Sequence, residues 1–275
     1  MKNRKSVIAI YFLLFMACIW CSSNIQNDSQ YERTMRKFEY QLGYKDTYSK
    51  EFAYYSDDVS ETALEESEIP KEKTIYLTFD DGPSPRTEEI LDILKKHNIK
   101  ATFFVVKCKD EYIPYMKRAV EEGHMIGVHT ASHKYNEIYK SVDAYLRDFT
   151  ECYDFVLENT GKAPTIFRFP GGSVNNYNAS TRKEIVREMT RRGFTYFDWN
   201  VESGDSASKA SAQTIYNNVI NGCKGKQRGV IIMHDSIGKN TTVEALEDII
   251  VKFEEDGWKF ASLDNTVKPM IFRMK

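Results

Sequence analysis

The sequence predicts an α/β fold in which parallel strands alternate with helices and close into a barrel. Three observations support this prediction. Short apolar runs rich in β-branched residues alternate with amphipathic segments from Thr74 to Ala261. Glycines follow four of the amphipathic segments, where helices commonly end. Ionisable residues follow five of the apolar runs, at the strand ends where such barrels carry their chemistry.

The alternation gives seven strands and six helices. Thr74–Phe79 is the first strand, and the helix predicted over 87–97 has Ile90, Leu91 and Leu94 on one face. The other predicted strands are 102–106, 125–129, 165–169, 194–200, 230–234 and 258–261, and the other helices are 111–122, 142–159, 179–192, 211–223 and 243–255. Helical crossovers between strands indicate a parallel sheet, and a barrel accommodates this number of strands more naturally than an open sheet.

An apolar run from Val7 to Cys21 follows basic residues near the N-terminus and precedes polar residues, an order typical of an export signal. At about 1.5 Å per residue the run spans roughly 22 Å, short of the ~30 Å hydrocarbon core, and extension to residue 25 gives a marginal span. We expect residues 1–25 to be a retained signal anchor, because no small-x-small cleavage site follows. A cleaved signal peptide and lipid attachment at Cys18 are the alternatives.

Two regions follow this apolar segment. Residues 26–72 are polar, with an acidic stretch towards their end, and predict a solvated stalk. Residues 73–275 form the predicted α/β domain. We therefore expect an exported protein, with residues 7–25 in the cytoplasmic membrane and the α/β domain outside it.

The composition excludes several classes of protein. The 275 residues are 41% hydrophobic and 13% aromatic, which suits a large core and argues against a disordered or fibrous chain. Lys and Arg number 38 against 40 Asp and Glu, so the net charge of -2 gives no footprint for nucleic acid. The 5 cysteines are too few for a disulfide scaffold, and their odd number leaves at least one unpaired in a monomer.

Candidate metal ligands follow two of the strands. Asp80 and Asp81 end the first strand in the motif TFDDGP, where a turn capped by an Asp side chain is the structural alternative. His129 and His133 follow the third strand in the motif HTASH, and a spacing of four suits two imidazoles on one metal. With a carboxylate from another strand end, they predict a two-His, one-Asp site for Zn²⁺ or another divalent ion.

Three further strand ends carry polar residues. Arg168 lies in RFPGG, Asp198 in FDWN and His234 in IIMHD. An arginine within an apolar strand requires a buried carboxylate as its partner. The glycines of RFPGG allow backbone N–H groups to approach a ligand, and His234 is the candidate for an acid at neutral pH.

Together these motifs resemble the polysaccharide deacetylase family, the NodB-homology domain of carbohydrate esterase family 4. The resemblance extends from about Thr74 to Leu263 and covers five ordered motifs, TFDDGP, HTASH, RFPGG, DW and IMHD. It implies a distorted (β/α)7 barrel. It also implies a metal-dependent hydrolase that removes acetyl groups from an N-acetylated polysaccharide.

The resemblance also implies roles for the first three motifs. Asp80 would be the general base, and Arg168 would pair with it and orient it. Asp81, His129 and His133 would bind the metal, with Zn²⁺ as the expected ion and Co²⁺ as the alternative. A bound metal and a carboxylate base are the groups that activate a water for amide hydrolysis.

For the remaining motifs, the resemblance implies that Asp198 holds His234, the general acid. Trp199 and Ile232 would form the wall of the acetyl pocket. Gly171 would donate a backbone N–H to the oxyanion. The family often has an aromatic residue where this chain has Gly171, and leucine where it has Ile232.

An exported enzyme of this family is expected to act on N-acetylglucosamine of the cell-wall peptidoglycan, with acetylated xylan and chitin oligomers as alternative substrates. Phosphoester hydrolysis is disfavoured, because no glycine-rich phosphate loop or basic cluster lies at the strand ends. An anchored carbohydrate-binding protein without activity is also disfavoured, because every motif residue needed for the chemistry is present.

Overall fold

The computed structural model describes residues 72–207 and 209–273, which form one curled parallel sheet packed against helices. The strands are β1 Thr74–Asp80, β2 Thr102–Val106, β3 Met125–Thr130, β4 Ile166–Phe167, β5 Thr195–Tyr196, β6 Val201–Glu202, β7 Arg228–His234 and β8 Lys259–Phe260. The α-helices are α1 Pro85–Lys96, α2 Ile113–Glu121, α3 Tyr135–Ile138, α4 Val142–Thr160, α5 Arg182–Arg191, α6 Ala212–Cys223 and α7 Asn240–Glu255. A 3₁₀ turn at Asp110–Tyr112 precedes α2.

β1 is an interior strand of the sheet, between β2 and β7. The strand order is β5-β4-β3-β2-β1-β7-β6, and every pairing is parallel. β1 pairs with β7 along its whole length, from Thr74 opposite Arg228 to Asp80 opposite His234. Its first two residues also pair with β8. The first and last motifs of the sequence therefore lie side by side.

The predicted strand 194–200 is wrong as a single strand, because its two ends pair with different partners. β5 pairs with β4, whereas β6 pairs with β7 at the other end of the sheet. Between them, the N–H of Phe197 donates to the carbonyl of Phe167 at 3.0 Å, and that of Asn200 donates to Val230 at 3.1 Å. Residues 197–200 thus connect the two ends of the sheet and curl it into a half-barrel. The predicted parallel α/β fold is confirmed, in the form of a curled half-barrel that is consistent with a (β/α)7 barrel.

The two faces of the sheet have different neighbours. Ile75, Leu77 and Phe79 of β1 belong to the large core that the sheet forms with the helices. The alternate residue, Tyr76, belongs to a smaller cluster inside the curl, together with Phe104, Ile166, Phe197, Val230 and Leu263. Because side chains alternate along a strand, Asp80 follows Tyr76 on the inner face. The curl therefore collects the inward-facing strand ends at one edge.

Helix ends follow local chemistry. Ser84 begins α1 with a capping box, in which its hydroxyl accepts from the N–H of Arg86 and its own N–H donates to Thr87. Gly161, at φ 69°, ends α4 in the left-handed conformation that glycine adopts without strain. These signals agree with the helix positions that the sequence predicts. The helix predicted over 111–122 is shortened by the 3₁₀ turn, and α3 is an additional short helix.

The predicted anchor, 1–25, and all but the last residue of the predicted stalk, 26–72, lie outside the described residues and stay predictions. Among the helices that the structure does describe, none has both the length and the apolar character needed to cross a bilayer.

Candidate active site

A buried ion pair lies at the centre of the site. Nη1 of Arg168 lies 2.9 Å from Oδ1 of Asp80, and both side chains are almost completely buried. The guanidinium also donates to the Thr78 hydroxyl at 2.6 Å and to the carbonyls of Phe197 at 2.8 Å and Asp198 at 3.1 Å. A buried arginine with this many acceptors is fixed in position and neutralises the carboxylate beside it. The structure brings together the pair that the sequence analysis expects.

The three predicted metal ligands, Asp81, His129 and His133, also come together. One ligand atom from each lies within 4.8 Å of the others. Oδ1 of Asp81 is 3.2 Å from Nε2 of His133 and 3.6 Å from Nε2 of His129. Among the described residues, this is the group of histidine, cysteine and carboxylate side chains whose spacing suits a metal ion.

The chemistry of these atoms fits a cation. Nδ1 of His129 lies 2.8 Å from the carbonyl of Arg168, so it must carry the proton it donates there. Burial lowers the pKa of His129, which favours the neutral ring and leaves a lone pair on Nε2. Oδ1 of Asp81 is buried and accepts no hydrogen bond from the described residues. A divalent ion would satisfy both electron-rich atoms.

Two of these residues have unusual backbone conformations. Asp81 has φ 72° and His133 has φ 54°, both in the left-handed region that residues other than glycine rarely adopt. Hydrogen bonds hold both turns, from the N–H of Asp81 to the carbonyl of Phe104 at 3.2 Å and from that of His133 to the Thr130 hydroxyl at 3.1 Å. Such strain is characteristic of residues whose side chains are aimed at a site.

The partner of His234 is Asp205, and the predicted pairing with Asp198 is wrong. Nδ1 of His234 lies 2.7 Å from Oδ1 of Asp205, and the His234 N–H donates to Oδ2 at 2.7 Å. The Thr242 hydroxyl donates to the same carboxylate at 2.9 Å. Burial by itself would lower the pKa of His234, but the hydrogen bond and charge of Asp205 outweigh it and raise that pKa above its ordinary value.

Asp198 connects two other segments. Its carboxylate accepts from the N–H of Ser173 at 2.8 Å, from the Ser173 hydroxyl at 2.5 Å and from the N–H of Phe272 at 2.7 Å. Its own N–H donates to the carbonyl of Met270 at 2.7 Å. Burial raises the pKa of Asp198, although these hydrogen bonds oppose the shift. Asp198 thus joins the loop after β4 to the segment that follows β8.

The predicted pocket residues occupy different settings. Ile232 is buried on β7, opposite Thr78 of β1. Trp199 is half-buried, with its ring 4.8 Å from that of Phe272 and its Nε1 donating to Glu202 at 3.1 Å. Gly171 is exposed, in the loop after β4, and has a φ of 74°. Their contacts with an acetyl group stay a prediction.

Asp235 supports the loop that carries the first motif. It is fully buried and accepts from the hydroxyls of Ser84 at 2.8 Å and Thr87 at 2.5 Å. Its N–H donates to the carbonyl of Asp80 at 2.7 Å. Burial raises the pKa of Asp235 to about 6, against the opposing effect of the two hydroxyl donors. The sequence places Asp235 at a strand end without indicating this role.

Asp205 is the main site residue that the sequence did not indicate. It lies in the connection that follows β6, and its only local signal is the turn-forming pair Gly204-Asp205. Burial would raise the pKa of Asp205, but the hydrogen bond from His234 lowers it below its ordinary value. An ionised Asp205 is therefore the state that holds the imidazole.

Comparisons with known proteins agree with this geometry. Residues 67–193 match the sequence model of a family described as polysaccharide deacetylase. A peptidoglycan-N-acetylglucosamine deacetylase of Bacillus cereus is 32% identical over 210 residues, which cover 74% of this chain and 74% of the relative.

Solved structures show the same fold. The catalytic domain of a peptidoglycan N-acetylglucosamine deacetylase from Eubacterium rectale matches with a TM-score of 0.72 and 37% identity, covering 75% of this chain and 95% of that domain. A polysaccharide deacetylase from Bacillus cereus matches with a TM-score of 0.66 and 31% identity, covering 74% of this chain and 100% of that structure.

Proposed function

The chain belongs to the polysaccharide deacetylase family, and we propose that it is a metal-dependent hydrolase that removes N-acetyl groups from cell-wall amino sugars. One observation carries the proposal. The candidate metal ligands Asp81, His129 and His133 converge beside Asp80, and His234 ends the strand paired with that of Asp80. A base and an acid thus stand at adjacent strand ends, next to a site for a Lewis acid.

Asp81, His129 and His133 would hold the metal. Two imidazole nitrogens and one carboxylate oxygen suit Zn²⁺, with Co²⁺ as the alternative ion. A divalent ion held by three protein ligands lowers the pKa of water and polarises a carbonyl group. The orphaned Oδ1 of Asp81 and the unprotonated Nε2 of His129 support this assignment.

Asp80 would take the proton from the attacking water. Its Oδ1 accepts a hydrogen bond from Arg168, which leaves Oδ2 to accept the proton. That Oδ2 lies 3.9 Å from Nε2 of His129, on the side of the metal ligands. Arg168 therefore orients the base towards the reacting groups.

His234 would protonate the departing amine. Asp205 accepts from Nδ1 and raises the pKa of the ring, which favours the imidazolium form. Nε2 then carries the proton that the amine requires. A proton donor matters here because an amide cannot release its nitrogen as an anion at useful rates.

Gly171, Trp199 and Ile232 would contact the substrate. We propose that the N–H of Gly171 donates to the oxyanion and that Trp199 and Ile232 form the wall of the acetyl pocket. Trp199 is held by Glu202 and Phe272, which limits its rotation. A preorganised donor of the Gly171 type contributes about 3–4 kcal/mol in comparable oxyanion sites.

Peptidoglycan N-acetylglucosamine is the proposed substrate. The relatives from Bacillus cereus and Eubacterium rectale carry that activity in their names. Export supports the same substrate, because the basic residues before the apolar run at 7–21 predict that residues beyond the run lie outside the cytoplasm. We propose that residues 7–25 retain the chain in the membrane and that residues 26–72 form a stalk.

The proposal is tested by acetate release from peptidoglycan, N-acetylglucosamine oligomers and acetylated xylan, with and without a chelator. We expect release from the first two substrates, its loss after chelation and its recovery on adding Zn²⁺ or Co²⁺. Release from acetylated xylan alone would contradict the assignment as an amide hydrolase. Activity unchanged after exhaustive chelation would contradict the metal site. Protease protection of the full chain in intact cells would contradict export.

A further inference from the structure

Aromatic rings lead from the candidate metal site towards the surface. The ring of Tyr135 is perpendicular to that of His133, with 5.2 Å between their centroids. On its other side, Tyr135 packs against Tyr177, with centroids 5.0 Å apart and ring planes at 53°. Tyr135 is half-buried, whereas Tyr177 is 54% exposed. An aromatic ring therefore lies open to solvent two side chains away from a candidate metal ligand.

The loop that carries Tyr177 is held in one conformation. The side-chain oxygen of Asn175 accepts from the N–H groups of Tyr177 at 2.8 Å and Asn178 at 3.0 Å. Its amide nitrogen donates to the carbonyls of Pro170 at 3.2 Å and Gly172 at 3.0 Å. An ordered backbone that presents a large exposed ring has already lost the conformational entropy that binding would otherwise cost.

Tyr135 packs closely against the same loop. A Cβ atom at Gly171 would lie 2.8 Å from Cε1 of Tyr135, so the ring occupies the space that a side chain at residue 171 would need. Tyr139, whose ring lies 6.1 Å from that of Tyr135, donates its hydroxyl to the carbonyl of Pro170 at 2.7 Å. The loops that follow β3 and β4 thus form a single wall beside the metal ligands.

We propose that Tyr177, supported by Tyr135, is a sugar-binding subsite for the N-acetylhexosamine next to the sugar that is deacetylated. The inference rests on the proposed function, because it places a neighbouring unit of the same glycan on this wall. A tyrosine offers a rigid apolar face for the C–H groups of a pyranose ring and a hydroxyl for its polar edge. Among the described residues, the other exposed large apolar side chains are the aliphatic Ile237 and Val251, so Tyr177 is the exposed aromatic ring of this set.

The full chain carrying Tyr177→Ala or Tyr177→Phe tests the subsite on two substrates. The pentasaccharide of N-acetylglucosamine would reach the subsite, whereas para-nitrophenyl acetate is too small to do so. We expect Tyr177→Ala to raise KM for the pentasaccharide about five- to tenfold with little change in kcat, and to leave the aryl ester unaffected. Tyr177→Phe retains the ring and should stay within about twofold of wild type.

Val251→Ala is the matched control, because it removes an exposed apolar side chain from α7.

A binding measurement supplements the kinetics. In the full chain carrying Asp80→Asn, calorimetric titration with the pentasaccharide should show Kd raised by Tyr177→Ala by the same factor as KM.

The outcomes separate the two proposals. A wild-type chain that hydrolyses the aryl ester but no N-acetylglucosamine oligomer would overturn the proposed function. Oligomer hydrolysis by the wild type, with an unchanged KM and Kd in Tyr177→Ala, would overturn the subsite alone. Equal losses on the pentasaccharide and the aryl ester would also overturn the subsite, because they would show that Tyr177 acts through the reacting centre.

Discussion

Asp80 and Asp81 are consecutive in the chain, yet their carboxylates have different partners. Asp80 lies 2.9 Å from Nη1 of the buried Arg168, whereas Asp81 lies 3.2 Å from Nε2 of His133. The left-handed backbone at Asp81, with φ 72°, accompanies this divergence. Two adjacent residues of one type can therefore be assigned two different tasks, and the assignment can be tested one residue at a time.

Asp80→Asn should retain the metal and lose turnover, whereas Asp81→Asn should lose the metal. The reason is that Oδ1 of Asp81 lies close to Nε2 of both histidines, whereas Oδ1 of Asp80 accepts a hydrogen bond from Arg168. Loss of a general base is expected to lower kcat about 10²–10⁴-fold. Metal content after dialysis and kcat are the measurements. Retention of metal by Asp81→Asn together with its loss from Asp80→Asn would reverse the assignment.

Arg168→Ala should destabilise the protein as well as inactivate it. It leaves the buried Asp80 carboxylate without its ion-pair partner, a change that costs about 3–5 kcal/mol in comparable proteins. A fall in Tm of roughly 10 °C is expected for a domain of this size. Arg187→Ala, at an exposed position of α5, is the control and should leave Tm within about 2 °C of wild type. Equal Tm values for the two variants would show that Arg168 does not neutralise Asp80.

Asp205→Asn should move the alkaline limb of kcat/KM to lower pH. In the proposed mechanism the protonated ring of His234 is the acid, so activity is expected to fall as the pH rises through the pKa of His234. Asp205 raises the pKa of His234. Without the charge of Asp205, the effect of burial, which lowers this pKa, meets less opposition. Asp198→Asn is the control, because Asp198 hydrogen-bonds Ser173 and Phe272. A shift in Asp198→Asn and none in Asp205→Asn would restore the pairing first expected from the sequence.

His234→Ala should impair amide hydrolysis more than hydrolysis of an activated aryl ester. An amine must be protonated to leave, whereas a phenolate leaves unaided. Acetate release from N-acetylglucosamine oligomers should fall about 10²–10⁴-fold, with a smaller loss on para-nitrophenyl acetate. Equal losses on both substrates would mean that His234 has a structural role.

Gly171→Ala should cost more stability than Gly161→Ala. Both glycines have a left-handed backbone, with φ 74° and 69°, so both alanine variants carry a backbone strain of about 1–2 kcal/mol. Only at Gly171 would the new Cβ also meet the Tyr135 ring. Chemical denaturation of both variants measures the difference, and Tyr135→Ala should reduce it. Equal costs for the two glycines would show that the ring yields without resistance.

The sequence predicted the residues that end long strands better than those in the connections. Asp80 and His234 are the last residues of seven-residue strands whose apolar runs are visible in the sequence, and the structure pairs those strands in full. The role of Asp205 could not be predicted in the same way. Residues 194–200 have the composition of one strand, so the sequence does not indicate the second strand, β6, which Asp205 follows. Their pairing changes from β4 to β7 within that segment, and a change of partner depends on residues far away in the chain.

The sequence likewise could not predict which buried acidic residue pairs with His234. Asp198 and Asp205 are both acidic residues near the end of a strand, and a local pattern does not distinguish them. The curl of the sheet decides between them, because it directs Asp198 towards Ser173 and the segment after β8 and leaves Asp205 beside His234.

The position of β1 between β2 and β7 affects how the chain folds while it is being synthesised. While the ribosome synthesises the chain, β1 appears early, but the strand that covers one of its edges, β7, lies about 150 residues later. All seven residues of β1 are buried in the finished fold, so the nascent strand exposes apolar side chains and unpaired backbone groups until β7 arrives. The topology therefore makes the completion of this edge a late, long-range step of folding, which cannot take place before residues 228–234 have been synthesised.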